Sequence, residues 1–88
     1  MKIREGFILR QVLDIYAVIG VGSEAYMPNR IMSVNETGAF LWRMLENGAE
    51  KQKMIDALLR EYETDPQTAE KDVDAFLKEM QDKGLIEA

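Results

Sequence analysis

The hydrophobic pattern of this 88-residue chain changes period near Asn35, and that change limits what it can fold into. Before Asn35, residues 7–21 are rich in β-branched and aromatic types and partly alternate. Phe7, Leu9 and Leu13 share one face with Arg10 on the other, and a second run places Ile15, Ala17, Ile19 and Val21 together. This predicts two antiparallel strands turning near Leu13-Asp14. Gly20-Val21-Gly22-Ser23-Glu24 and Met27-Pro28-Asn29 are loop signals, and Arg30-Ile31-Met32-Ser33-Val34 reads as a third strand.

After Asn35 the period becomes helical. A first helix is expected over about 36–47, with Asn35 as its N-cap and a stripe of Phe40, Leu41, Met44 and Leu45; Asn47-Gly48 stops it. Ser33 and Glu36 also have capping-box spacing, so the start could lie two residues earlier. A second helix, about 50–62, lines up Met54, Ile55, Leu58, Leu59 and Tyr62. Asp65-Pro66 opens a third, whose apolar face is Ala69, Val73, Phe76, Leu77 and Met80; Gly84 ends it, and Leu85-Ile86 should fold back onto the core. Each helix has one apolar stripe, so the three must pack on each other and on one face of the sheet. The expected fold is α+β, βββααα, in one domain over residues 1–88, a length that supports a modest core without staples.

The chain contains no Cys and no His, which removes disulfides, thiolate nucleophiles, imidazole bases and Cys/His zinc or iron–sulfur sites. Ser23 and Ser33, the two serines, sit in no nucleophile elbow, and Gly20-Val21-Gly22 is too short to cradle phosphate. Glu70 and Asp74 share a helix face while Asp72 points elsewhere, too few converging oxygens for a cation site. The expectation is a non-enzyme with neither metal nor cofactor. No run approaches a membrane span and no signal-peptide pattern opens the sequence, so a cytoplasmic protein is expected.

Charge is unevenly spread. Residues 1–44 hold five basic against four acidic residues, and residues 45–88 six against twelve. Nucleic-acid binders draw most of their affinity from a basic stripe, whereas here the helical half is the acidic half.

What remains is surface and edge. A three-stranded sheet leaves unpaired N–H and C=O groups on an edge strand, able to template another chain, a second copy included. With the third strand at that edge and the third helix beside it, the two would form a groove floored from Ile31, Met32, Val34, Val73, Phe76, Leu77 and Met80. Such grooves capture extended peptides. On residue type alone, the same residues favour core over groove.

At Asn35-Glu-Thr-Gly-Ala-Phe-Leu-Trp42, and again at Ala57-Leu-Leu-Arg-Glu-Tyr62, Asp72-Val-Asp-Ala-Phe-Leu77 and Lys83-Gly-Leu-Ile86, the chain resembles the coenzyme PQQ synthesis protein D family. These are the peptide chaperones also known as RiPP recognition elements. The resemblance covers about residues 5–87 and implies a winged helix-turn-helix-like domain. It implies a protein that binds the leader segment of a ribosomally made precursor peptide as an added strand beside the third strand and against the third helix. It further implies docking onto a modifying enzyme, commonly a radical S-adenosylmethionine protein. The implied leader-binding positions are Arg30, Ile31, Met32, Ser33 and Val34 on the strand, and Val73, Phe76, Leu77 and Met80 on the helix. Leaders in such systems are often acidic, as the resemblance suggests, so Arg30 with Lys71 or Lys78 on the rim would steer encounter. The Gly20–Asn29 stretch departs from the short Pro-Glu-Gly turn of the PQQ-pathway proteins, so a leader peptide is implied without PQQ being fixed as the product.

The rival reading is a winged-helix nucleic-acid-binding regulator, which shares the topology. Its second helix would offer Lys51, Gln52, Lys53 and Arg60 against Glu50, Asp56, Glu61 and Glu63, a thin basic face.

Overall fold

A computed structural model describes residues 1–20 and 31–87. Val21, the loop signals between Val21 and Asn29, and the candidate site residue Arg30 lie outside the described residues. The elements run β1 (Lys2–Ile3), β2 (Phe7–Val12), β3 (Ile15–Gly20), β4 (Ile31–Val34), α1 (Glu36–Glu46), α2 (Lys51–Glu61), α3 (Pro66–Asp82) and β5 (Ile86–Glu87). The expected α+β layout, a three-stranded antiparallel sheet followed by three helices, is the one found. Two terminal strands are added to it: β1 pairs antiparallel with β5, Ile3 opposite Ile86.

β2, β3 and β4 pair in that order, so β4 is an edge. Leu9 lies opposite Val18, and Val18 opposite Met32, which puts all three on the face that meets the helices. Ile15, Ala17 and Ile19 do share a face, but it is the opposite one. Ile15 remains 59% exposed and Val12, its cross-strand partner, 64%. Leu13 does not join Phe7 and Leu9: it occupies the hairpin turn at φ 56 and is 87% exposed.

The helix boundaries follow local chemistry. Asn35, not Ser33, caps α1, its Oδ1 accepting the Gly38 N–H at 2.7 Å. Asp65 does the same for α3 from the Thr68 N–H, also at 2.7 Å, with Pro66 at the first helical position. Gly48 (φ 76) and Gly84 (φ 70) follow the ends of α1 and α3 in the left-handed conformation that glycine adopts without steric cost.

The core lies between the helices and the inner sheet face, around Trp42, Leu45, Met54, Ala69, Val73 and Met80, each at 0% exposure. On α1 the buried residues are Gly38, Ala39, Leu41, Trp42 and Leu45, a stripe wider than its sequence spacing indicated, while Phe40 and Met44 are half-buried. The reason is that α1 touches β1, β4 and α3 at once and so is covered on more than one side. The Trp42 Nε1–H is buried with no acceptor among the described residues. Leu85 and Ile86 fold back into the core as expected.

Candidate functional site: a cleft beside the edge strand

β4 pairs with β3 through Val34–Tyr16, Ser33–Ala17, Met32–Val18 and Ile31–Ile19. Among the described residues no strand lies on its other side, so that edge presents backbone donors and acceptors. Next to it opens a cleft of about 420 Å³, with Ser33, Val34 and Asn35 on one wall. Asp72, Ala75, Phe76 and Glu79 of α3 form the other wall, and Thr37, Gly38 and Leu41 of α1 close the base. The cleft exists because Asn35 ends the strand and starts the helix in one step, which turns α1 beneath it. Gly38 keeps that junction tight: a Cβ placed there would sit 3.2 Å from both Val34 Cβ and Asn35 Oδ1.

The candidate residues divide into distinct groups. Ser33, Val34 and Phe76 line the cleft. Met32 lies on the inner sheet face, half-buried against the core, and Ile31 is placed as a backbone position in β4. Val73 and Met80 are at 0% exposure and Leu77 at 8%, all within the core cluster. They lie in the core cluster and are not among the residues lining the cleft. Lys71 and Lys78 are exposed and line no part of it; Lys78 Nζ is held 3.0 Å from Asp82 Oδ2, one helical turn away.

Among the described residues, the acidic or basic side chains in the lining are Asp72 and Glu79, seven residues apart on α3. Other acids of that helix have cations. Lys51 Nζ lies 2.7 Å from Asp74 Oδ1 and 3.8 Å from Glu70 Oε2, and the bond to Asp74 holds the Lys51 pKa above its ordinary value. Asp72 and Glu79 have no ion-pair partner among the described residues. The lining residues that sequence reasoning did not single out are Asn35, Thr37, Gly38, Leu41, Asp72, Ala75 and Glu79, as cleft positions rather than as caps, core or solvated helix. Asp72 and Glu79 lie four residues before and three after Phe76, the helical spacing of one face, which is the one signal that could have placed them.

No group of three or more acidic side chains capable of holding a metal occurs among the described residues, and no helix there is long and apolar enough to cross a membrane. The cleft therefore offers hydrogen bonding, apolar contact and negative charge.

No curated protein matches the chain. Among solved structures, TbiB1 in complex with the TbiA(beta) leader peptide has 25% sequence identity and a TM-score of 0.81, over 100% of this chain and 96% of that one. A lasso peptide synthetase B1 complexed with its leader peptide has 20% identity and a TM-score of 0.75, over 96% and 93% of the two chains. A family profile described as coenzyme PQQ synthesis protein D matches residues 20–86. The chain belongs to the coenzyme PQQ synthesis protein D (PqqD) family.

Proposed function

We propose that this protein binds the leader segment of a ribosomally synthesised precursor peptide at the β4 edge and presents it to a separate modifying enzyme. The observation that carries this reading is the cleft itself. A strand edge without a partner strand among the described residues runs beside an open groove whose base and far wall hold apolar side chains. Main-chain pairing supplies affinity in such an arrangement, and alternate side chains entering the groove supply specificity. Structures of the same fold include complexes with leader peptides, one of them at 25% identity over the whole chain.

The protein contributes no catalytic group on this reading. A peptide tethered beside an active site reaches an effective concentration on the order of millimolar for short flexible connections, so holding the substrate is function enough. The catalytic partner is a radical S-adenosylmethionine enzyme, the class implied by the family resemblance, and the encounter takes place in the cytoplasm. The acidic third helix weighs against the nucleic-acid alternative. Its five acids, Glu70, Asp72, Asp74, Glu79 and Asp82, outnumber Lys71 and Lys78.

Titration of isotope-labelled protein with synthetic leader segments of candidate precursor peptides tests the reading. Amide shifts should concentrate in residues 31–35 and 72–79. Shifts confined to α2 would overturn it.

A further inference from the structure

We propose that the cleft selects an extended peptide in which an apolar anchor is flanked by lysine or arginine. This inference rests on the strand-addition reading above and specifies the chemistry of the occupant. The resemblance suggested an acidic leader met by a rim of Arg30 with Lys71 or Lys78; among the described residues, the acidic or basic side chains lining the cleft are Asp72 and Glu79.

The groove makes the site, and the acids set its preference. On α3 the carboxylates away from the cleft have ion-pair partners: Asp74 and Glu70 share Lys51, and Asp82 pairs with Lys78. Asp72 and Glu79 lack an ion-pair partner among the described residues, so their charge remains available to an incoming cation.

Spacing adds a second constraint. Seven residues of helix separate the two acids by about 10 Å along the axis. Ala75 and Phe76 lie between them. A strand advances about 3.3 Å per residue and points alternate side chains to one face, so positions i−2, i and i+2 span about 13 Å on the groove side. An apolar side chain at i would rest on Phe76, and a long basic side chain at i−2 or i+2 would reach Asp72 or Glu79. Acidic residues at those positions would meet like charge. Each contact is partly solvated, so discrimination is expected to be roughly three- to tenfold and to weaken with salt.

The test is selection from a displayed library of random 15-residue peptides against the full chain, and again against an Asp72→Asn/Glu79→Gln double variant. Selected peptides are then mapped by amide shifts on both proteins. The proposal expects wild-type selection to enrich lysine or arginine two residues from an apolar position, with binding in the β4–α3 cleft. Replacing those basic residues by glutamine should weaken binding three- to tenfold on the wild type and leave it unchanged on the double variant. Peptides that map to the cleft without a basic preference, or with an acidic one, overturn this inference and leave the strand-addition reading standing. Peptides that map away from the cleft, or no enrichment at all, overturn both. The double variant is isosteric at exposed positions, and its amide spectrum reports whether its fold is intact.

Discussion

Gly38 and Val34 meet so closely at the β4–α1 junction that a methyl group on Gly38 would sit 3.2 Å from Val34 Cβ. Val34 Cβ is fixed to the backbone of the edge strand, and the capping Asn35 Oδ1 lies equally close, so the β4–α1 junction must yield by a few tenths of an ångström. Alanine also removes the conformational cost of glycine in a helix, about 1 kcal/mol. The two effects oppose each other in stability, while only the displacement acts on the cleft. Gly38→Ala is therefore expected to change stability by less than about 1 kcal/mol while weakening peptide binding severalfold, read by denaturant unfolding and fluorescence anisotropy. Equal binding to both proteins would show that the junction does not set the cleft.

Phe76 and Met80 lie one turn apart on α3 and should behave differently. Met80 is fully buried, so Met80→Ala is expected to cost about 2–5 kcal/mol through lost burial and the cavity left behind. Phe76 is half-buried and lines the cleft. Phe76→Ala should lower peptide affinity more than stability. Unfolding curves and binding isotherms measured on the same two variants check the contrast.

The hairpin turn can be improved. Leu13 holds φ 56 at the first of two turn residues, where a leucine side chain crowds its own backbone, and it buries little in return. Leu13→Gly is expected to stabilise the fold by about 0.5–1 kcal/mol, the relief of left-handed strain less the added freedom of the unfolded chain. No residue of the turn lines the cleft, so peptide affinity should not change.

The cap of α3 gives an acid-dependent term with a defined sign. The hydrogen bond from the Thr68 N–H holds the Asp65 pKa below its ordinary value. A carboxylate with a depressed folded pKa adds stability at neutral pH. That contribution begins to fade as pH falls below the ordinary aspartate value of about 3.9 and is gone below the depressed one. Asp65→Asn retains an oxygen acceptor that does not titrate. Thermal unfolding of both proteins between pH 7 and pH 2 should show the wild type losing more stability on acidification than the variant.

These expectations draw on features that differed in how plainly the sequence displayed them. Asn35 and Asp65 were legible because a cap depends on residues three positions away, and the Asp65-Pro66 pair names a helix start directly. The pairing of β1 with β5 was not, since two residues of strand carry no period and their partners lie at the far end of the chain. Trp42 fell outside the stripe read for α1 because that helix is covered on several sides, a property of its neighbours rather than of its own sequence. The cleft was half legible. Periodicity showed which face of α3 is apolar, but not that Phe76 lies at its margin while Val73 and Met80 lie in the core. Asp72 and Glu79 look like any solvated helix carboxylates until β4 is set beside them.

On the proposed function, β4 accepts another strand along its open edge. Nuclear Overhauser measurements on the complex with a display-selected peptide test it most directly. A strand added at β4 gives a ladder of cross-strand contacts between alternate peptide residues and Ile31–Val34, with peptide side chains against Phe76. A bound peptide whose contacts fall on β2, the opposite edge of the sheet, or on α2, with β4 unperturbed, would contradict it.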